Sequence, residues 1–449
     1  SAASDVYKRQ ILNGNVLNTI MGVIFLKIQY NREKIGDGIH FTTIINERQK
    51  TNTVIVHLVT ELAEDTASLN AIIPYVLSGS SDEYKTVTEL SKKLSELYGA
   101  VLRGTVSKLG DSQVVSLMAG CINDRYTFDG EHITEEASRV LLGCLTKPYL
   151  ENDGFFKSDF ELKKQELLDD IDAEINDKRA FAFKRSAKII YKNEPCAISA
   201  KGDREYAEKI DAVKSYEQYK KLLKTAQIEV FFVGAAEPAN LKDMFKSSLS
   251  QLERSYSGDN KTVFSKLKTE VANSVEKYDV AQSKMVMAFK SECTNAPAMK
   301  LMNSVFGGTP FSKLFLNVRE KLSLCYYCSS GYNDRKGVLF VDSGVEHANI
   351  EKAKAEILNQ LKAVQNGEFT EEEINNSRLS MINSLRGVTD GARSIAEWYF
   401  KQSYAGQSLS PEDEIERLKA VTKEDIIAAA KSLSLDTVYV LTGKESAAE

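Results

Sequence analysis

The sequence predicts an α+β protein made of two homologous units, each a mostly antiparallel sheet with helices packed on one face. Three observations carry this. The elements run strand, helix, helix, strand, strand instead of alternating strand with helix, and neighbouring strands joined by short connections favour antiparallel pairing. That order occurs twice along the 449 residues. In both copies the helical stretches space apolar residues three or four apart, while the strand stretches are rich in Val, Ile, Phe and Tyr.

In the first copy, residues 24–28 are read as the opening strand and 53–60 (TVIVHLVT) as the next. A helix leads to Tyr75 and Gly79, and a second covers 87–97 (VTELSKKLSEL). After Tyr98-Gly99-Ala100 come strands at 101–106 and 114–118. The second copy has a strand at 284–289 (KMVMAF), a helix ending in Gly307-Gly308, a helix at 312–321, and strands at 325–332 and 337–343. The copies also end alike. Val213-Lys214-Ser215 opens a helix leading to a strand at 228–233 and Gly234, and Val421-Thr422-Lys423 opens one leading to 438–441 and Gly443. The polar stretch 237–276 lies between them, least structured at 255–261 (SYSGDNK). The expected division is a first domain at 21–240, a linker at 241–275 and a second domain at 276–449. Residues 1–20 are read as a disordered or non-native extension ahead of Met21.

A 43% hydrophobic, 27% charged composition with net charge −5 is an ordinary soluble balance. It argues against a broad nucleic-acid surface, which needs clustered Lys and Arg. No uninterrupted apolar run reaches the ~18 residues of a membrane span, so a cytoplasmic protein is expected. The cysteines at 121, 144, 196, 293, 325 and 328 are scattered, which argues against a disulfide framework. Cys325-x-x-Cys328 falls in a strand-like run, where residues three apart point to opposite faces. Two half-buried strand thiols are expected there.

The stretch 305–332 (VFGGTPFSKLFLNVREKLSLCYYCSSGY) resembles the second-domain signature of the insulinase/pitrilysin-like metallopeptidase superfamily, and DVAQSKMVMAF precedes it in the family's order. The resemblance implies a closed chamber built from four such units. It also implies that Arg319 and Tyr326 grip the backbone of a bound peptide; the Gly307-Gly308 pair itself reads as a tight turn that lets the chain, or a substrate backbone, approach closely. The residue types suit that work: Arg offers a permanent fork of donors and Tyr one hydroxyl. Read from spacing alone, the favoured reading is Arg319 paired to a carboxylate and Tyr326 as a core aromatic; the surrounding match turns both toward the chamber.

Active members of that superfamily hold zinc with an inverted His-x-x-Glu-His motif, and zinc hydrolysis needs three ligands, an open position and a base. Aligned on Gly79 and the helix after it, the two His positions become Asn70 and Pro74, and the Glu position becomes Ile73. The distal ligand falls at Asp169 or Asp170, on a helix whose carboxylates also fit a solvated face. Of His40, His57, His132 and His347, none has a second His within five residues. No catalytic residue, metal or cofactor is therefore expected. KTNTVIVHL, IIPYVLSGSSDEY and ELSKKLSELYGA resemble a bacterial, peptidase-like subgroup associated with aminopentanol modification of elongation factor P. That likeness implies the non-catalytic member of a pair whose partner carries the His-x-x-Glu-His motif. The expected function is a substrate-binding, chamber-forming subunit of a heterodimeric processing peptidase, with a peptide or protein substrate and no role for nucleic acid or membrane. The alternatives are a scaffold with no peptide-binding role and, more remotely, a hydrolase rebuilt around the acidic helix at Asp169.

Overall fold

A computed structural model describes residues 28–258 and 262–443. The expected extension at 1–20 and most of the expected strand at 24–28 lie outside the described residues. In chain order the first half forms β1 (Gln29–Gly36), β2 (Ile39–Ile45), β3 (Thr51–Glu61), α1 (Ala67–Leu77), α2 (Val87–Glu96), β4 (Val101–Leu109) and β5 (Ser112–Ile122). It continues with α3 (Ile133–Thr146), the short β6 (Leu150–Glu151) and β7 (Gly154–Phe155), α4 (Lys157–Asp172), α5 (Lys178–Ile190), α6 (Arg204–Lys209), α7 (Ala212–Thr225) and β8 (Gln227–Gly234). After α8 (Leu241–Leu249), the second half forms β9 (Ala272–Tyr278), β10 (Ser283–Lys290), α9 (Ala296–Asn303), β11 (Cys325–Asn333) and β12 (Val338–Val345). It closes with α10 (Ile350–Gln365), α11 (Glu371–Gly387), α12 (Ala392–Tyr404), α13 (Pro411–Lys419), α14 (Lys423–Lys431) and β13 (Ser434–Gly443).

The α+β class holds. One sheet runs β1-β2-β8-β3-β5-β4, the other β11-β12-β10-β13-β9. All their pairings are antiparallel except β2 with β8 and β13 with β9. Apart from α5 and α12, the helices of each half gather on one face of its own sheet. Val54, Val56 and Leu58 of β3 meet Ile228, Val230 and Phe232 of β8 under α1, α3 and α7. Met285, Met287 and Phe289 of β10 meet Val438 and Val440 of β13 under α9, α10 and α14.

The opposite faces are covered too, and reciprocally. The odd-numbered positions Ile55 and Val59 of β3 and Phe231 and Val233 of β8 bury against Ile395, Ala396, Tyr399 and Phe400 of α12, a helix of the second half. Val286, Ala288, Tyr439 and Leu441 of the second sheet bury with Ala182 and Ile190 of α5, a helix of the first half. This is why residues 54–59 read as an unbroken apolar run except for His57: a strand covered on both faces has no solvent side to mark with polar residues.

The expected linker is more structured than its polar composition implied. It opens with α8, whose Leu241, Phe245 and Leu249 sink into the first core. Further on it bridges the halves: Ser255 N donates to Lys224 O (2.8 Å), Ser265 N donates to Lys336 O (2.9 Å), and Lys268 pairs with Asp436. Its last residues already belong to β9.

Candidate functional site

The helix holding the positions that the sequence alignment matches to the metal motif is α1. It has no side-chain cap and holds Pro74 in its interior, yet it is buried on nearly every side, so tertiary packing rather than propensity sustains it. Asn70 is buried and sits in an amide network. Its Nδ2 donates to Gln113 Oε1 of β5 (2.8 Å) and its Oδ1 accepts from Gln218 Nε2 of α7 (2.8 Å). Gln113 Nε2 in turn donates to the carbonyls of Ala67 (2.9 Å) and Ala200 (2.6 Å). Every amide atom of Asn70 engaged there serves to tie α1 to the sheet and to α7.

Ile73 is fully buried in the first core. The Pro74 carbonyl lies so close to edge strand β4 that a Cβ on Gly104 would stand 1.9 Å from it. Asp169 points outward and accepts from Gln165 Nε2 (2.7 Å). Its neighbour Asp170 is the carboxylate that turns back, accepting from Tyr75 OH (2.6 Å) and pairing with Lys201 (3.0 Å). The Tyr75 and Lys201 contacts lower the Asp170 pKa despite some desolvation. Among the described residues no three or more His, Cys, Asp or Glu side chains gather where they could hold a metal ion.

The second-half signature is arranged differently from a plain helix and strand. After α9 the backbone widens into π-helical turns at Ser304–Gly308 and again at Leu314–Lys321. Leu322 N donates to Asn317 O (3.2 Å), the five-residue spacing of a π turn, a form enriched at functional sites. Ser323 then takes φ +48°, a left-handed conformation costly for a residue with a Cβ, and turns the chain into β11. This brings Arg319 and Tyr326 to one cavity of about 370 Å³, together with Glu320, Cys325 and Glu346. Arg319 lies over the Phe315 ring (4.7 Å) and approaches Glu320 at 3.5 Å. Tyr326 is 59% exposed and its hydroxyl donates to Glu346 Oε1 (3.1 Å), so it is not the core aromatic that spacing alone allowed.

Gly307 and Gly308 do not line that cavity. Gly307 is buried, and a Cβ there would stand 2.5 Å from Ser330 Oγ and 2.6 Å from Leu314 Cδ1, so its smallness lets the π turn pack on β11. Gly308 is exposed, beside Asn303.

Cys325 and Cys328 require a correction. β11 pairs Cys325 with Val345 but Tyr327 with Gly344, leaving Tyr326 as an extra residue in a bulge. The inserted residue resets the alternation, so both cysteines face the second core instead of opposite sides. Sequence periodicity cannot register such an insertion. The same bulge throws Tyr326 outward into the cavity.

A second cavity, of about 500 Å³, lies between α12 and the back of β3, β5 and β4. His57 forms part of its wall, with Nδ1 2.7 Å from Ser116 Oγ and its ring stacked on Phe400. Burial pushes the His57 pKa down to about 4, so the ring is neutral at pH 7.

With both sites in view, comparison with known proteins shows what the chain is similar to. Residues 209–381 match the family model described as "Peptidase M16 inactive domain". The chain is similar to the insulinase-like (M16) peptidases, and among them to proteins described as inactive. It is 29% identical over 414 residues, 91% of its length and 97% of the relative's, to the protein named "Probable inactive metalloprotease YmfF" of Bacillus subtilis. A 92-residue stretch, 20% of each chain, is 32% identical to the beta subunit of the mitochondrial-processing peptidase of Saccharomyces cerevisiae. In three dimensions the chain superposes on a conserved protein from Enterococcus faecalis V583 with a TM-score of 0.86 at 26% identity, covering 93% of this chain and all of the other. No helix among its described residues is long and apolar enough to cross a membrane.

Proposed function

We propose that this insulinase-like homologue is the chamber-forming, substrate-binding subunit of a heterodimeric processing peptidase in the cytoplasm, whose zinc-bearing partner carries the His-x-x-Glu-His motif. The observation that carries the reading is a pairing of loss and retention. The motif positions hold Asn70, Ile73 and Pro74, all built into α1 packing, while Arg319 and Tyr326 share an open cavity. A peptide lying there would offer carbonyls to the free donors of the Arg319 guanidinium and, by displacing Glu346, to the Tyr326 hydroxyl. Donors so placed would also stabilise charge developing at a partner's metal. The local match to a processing-peptidase subunit supports a paired assembly. The finer resemblance, to proteins associated with elongation factor P modification, supplies a setting in which to seek the peptide.

The deciding experiment measures peptide hydrolysis by the complex with the zinc-bearing partner. Arg319→Ala and Tyr326→Phe should each lower kcat/KM by about tenfold or more, the loss of one or two charge-assisted or neutral hydrogen bonds, with assembly unchanged by size-exclusion chromatography. Unchanged turnover in both variants would favour a scaffold that never touches the peptide. Zinc at one equivalent with hydrolysis by the isolated chain would overturn the reading altogether.

A further inference from the structure

The bulge in β11 assembles something that neither the signature nor the family supplies. Cys325 and Cys328, three apart in sequence, are opposite Val345 and Ser343 of β12, two apart, so both thiols leave the strand on one side. Cys328 is 3% exposed within the second core, and Cys325 sits at the rim of that core while lining the Arg319 and Tyr326 cavity. One thiol of the pair therefore meets solvent through an opening, and the other waits behind it, shielded. We infer that Cys325 and Cys328 form an oxidisable dithiol site that takes small hydroperoxides through this cavity and closes to an intramolecular disulfide.

The chemistry follows from the two environments. The Cys328 thiol and the Ser343 hydroxyl, with the Arg319 charge adding to them, outweigh burial and lower the Cys325 pKa, whereas the Cys325 neighbour and burial push Cys328 well up. Cys325 is accordingly the nucleophile, since the thiolate is the reactive form. Its sulfur attacks the outer oxygen of the hydroperoxide: an S–O bond forms, the O–O bond breaks, and the leaving alkoxide or hydroxide takes a proton. The thiolate is oxidised by two electrons to a sulfenic acid and the peroxide is reduced. The Cys328 sulfur then attacks that of Cys325, the S–S bond forms, the S–O bond breaks, and hydroxide leaves as water with the Cys328 proton. The other four cysteines provide internal controls. Cys121, Cys144 and Cys196 are buried, with their thiol pKa values raised chiefly by that burial, and Cys293 is half-buried in the loop between β10 and α9.

The inference does not depend on the proposed peptide grip, because its readout is chemical and uses the isolated full chain. Hydrogen peroxide is added at pH 7.5 and the products are mapped by non-reducing peptide mass spectrometry. The expected product is a Cys325–Cys328 disulfide, identified by the loss of two hydrogens from one peptide, while the other four thiols stay alkylatable. Cys328→Ser should leave a Cys325 sulfenic acid that dimedone traps, and Cys325→Ser should abolish oxidation at Cys328. Iodoacetamide should label Cys325 of the unmodified chain about tenfold faster than Cys293, a comparison that needs no variant and survives any misfolding caused by a change at Cys328. Equal labelling of Cys325 and Cys293 would overturn the inference. So would a chain whose Cys325 and Cys328 stay reduced while other thiols oxidise, or a Cys325 found paired only between molecules.

Discussion

At the scale of single residues, the positions aligned with the metal motif are committed to packing and to an amide network. Asn70 makes one hydrogen bond each with buried Gln113 and half-buried Gln218, so Asn70→Ala would strand the Gln113 Oε1 in the interior and loosen Gln218. Unsatisfied buried amides cost about 1–3 kcal/mol each, and urea unfolding should show a loss in that range. Placing a glutamate at the position aligned with the motif's Glu should be worse. Ile73 is 0% exposed, and Ile73→Glu would place a carboxylate among apolar side chains, lowering the thermal midpoint more than Asn70→Ala does. His57 makes a different, pH-dependent contribution. Its folded pKa of about 4 lies below the unfolded 6.5, so above pH 6.5 both states are neutral and no proton is exchanged on folding. Between pH 6.5 and 4 the unfolded chain binds a proton that the folded chain refuses, and stability falls by up to about 3 kcal/mol. The charges facing the ring are Glu229 and Glu397, which favour protonation, and Arg393, which opposes it; burial outweighs them. His57→Gln should flatten that part of the stability profile in urea titrations at pH 7 and pH 4.5; an unchanged slope would mean another group carries it.

Elements were legible in proportion to how regular they are. Strands β3, β8, β10 and β13 stood out as Val-, Ile- and Phe-rich runs because each is buried on both faces, and the paired copies fixed the α+β class. The capping boxes at Thr86 and Thr422 open α2 and α14 where the pattern placed helices. Irregular geometry was not legible. The π turns at Leu314–Lys321 and the bulge at Tyr326 each depend on one extra residue, which shifts every later side chain without altering composition. Hence the motif marks Arg319 and Tyr326, whereas nothing in the sequence places Cys325 and Glu346 beside them in one cavity. Gly104 shows the same limit in another form. Nothing in VLRGTVSKL marks it, yet only a missing Cβ lets β4 lie against the Pro74 carbonyl. Gly104→Ala should push edge strand and α1 apart, costing about 1–3 kcal/mol by overpacking, readable as a lower urea midpoint with faster amide exchange along β4. An unchanged midpoint would show that the contact relaxes freely.

For the molecule as a whole, the exchange of α5 and α12 makes each half incomplete. The first sheet lends its back face to Ile395, Tyr399 and Phe400 of the second half, with Tyr30 stacked on Tyr399 at 4.1 Å. The second sheet receives α5 from the first, pinned by Arg185 on Glu276 (2.9 Å) and by Arg179 on Asp342. Between them Lys336, fully buried, reaches Asp111 and Glu194 at 2.8 Å each. Burial alone would lower the Lys336 pKa, but those two carboxylates outweigh it and raise it, so the ammonium persists and its contribution is lost only as alkaline pH removes the proton. Burying one large apolar side chain is worth about 1.5–3 kcal/mol, and several on each face add up to the whole stability of a typical domain. Fragments 1–258 and 262–449 expressed separately should therefore be aggregation-prone or molten, exposing the faces that α12 and α5 cover, and should recover native circular dichroism and one cooperative melt only when mixed. Either fragment melting cooperatively alone, near the midpoint of the full chain, would mean that the crossed helices decorate the two units without holding them together.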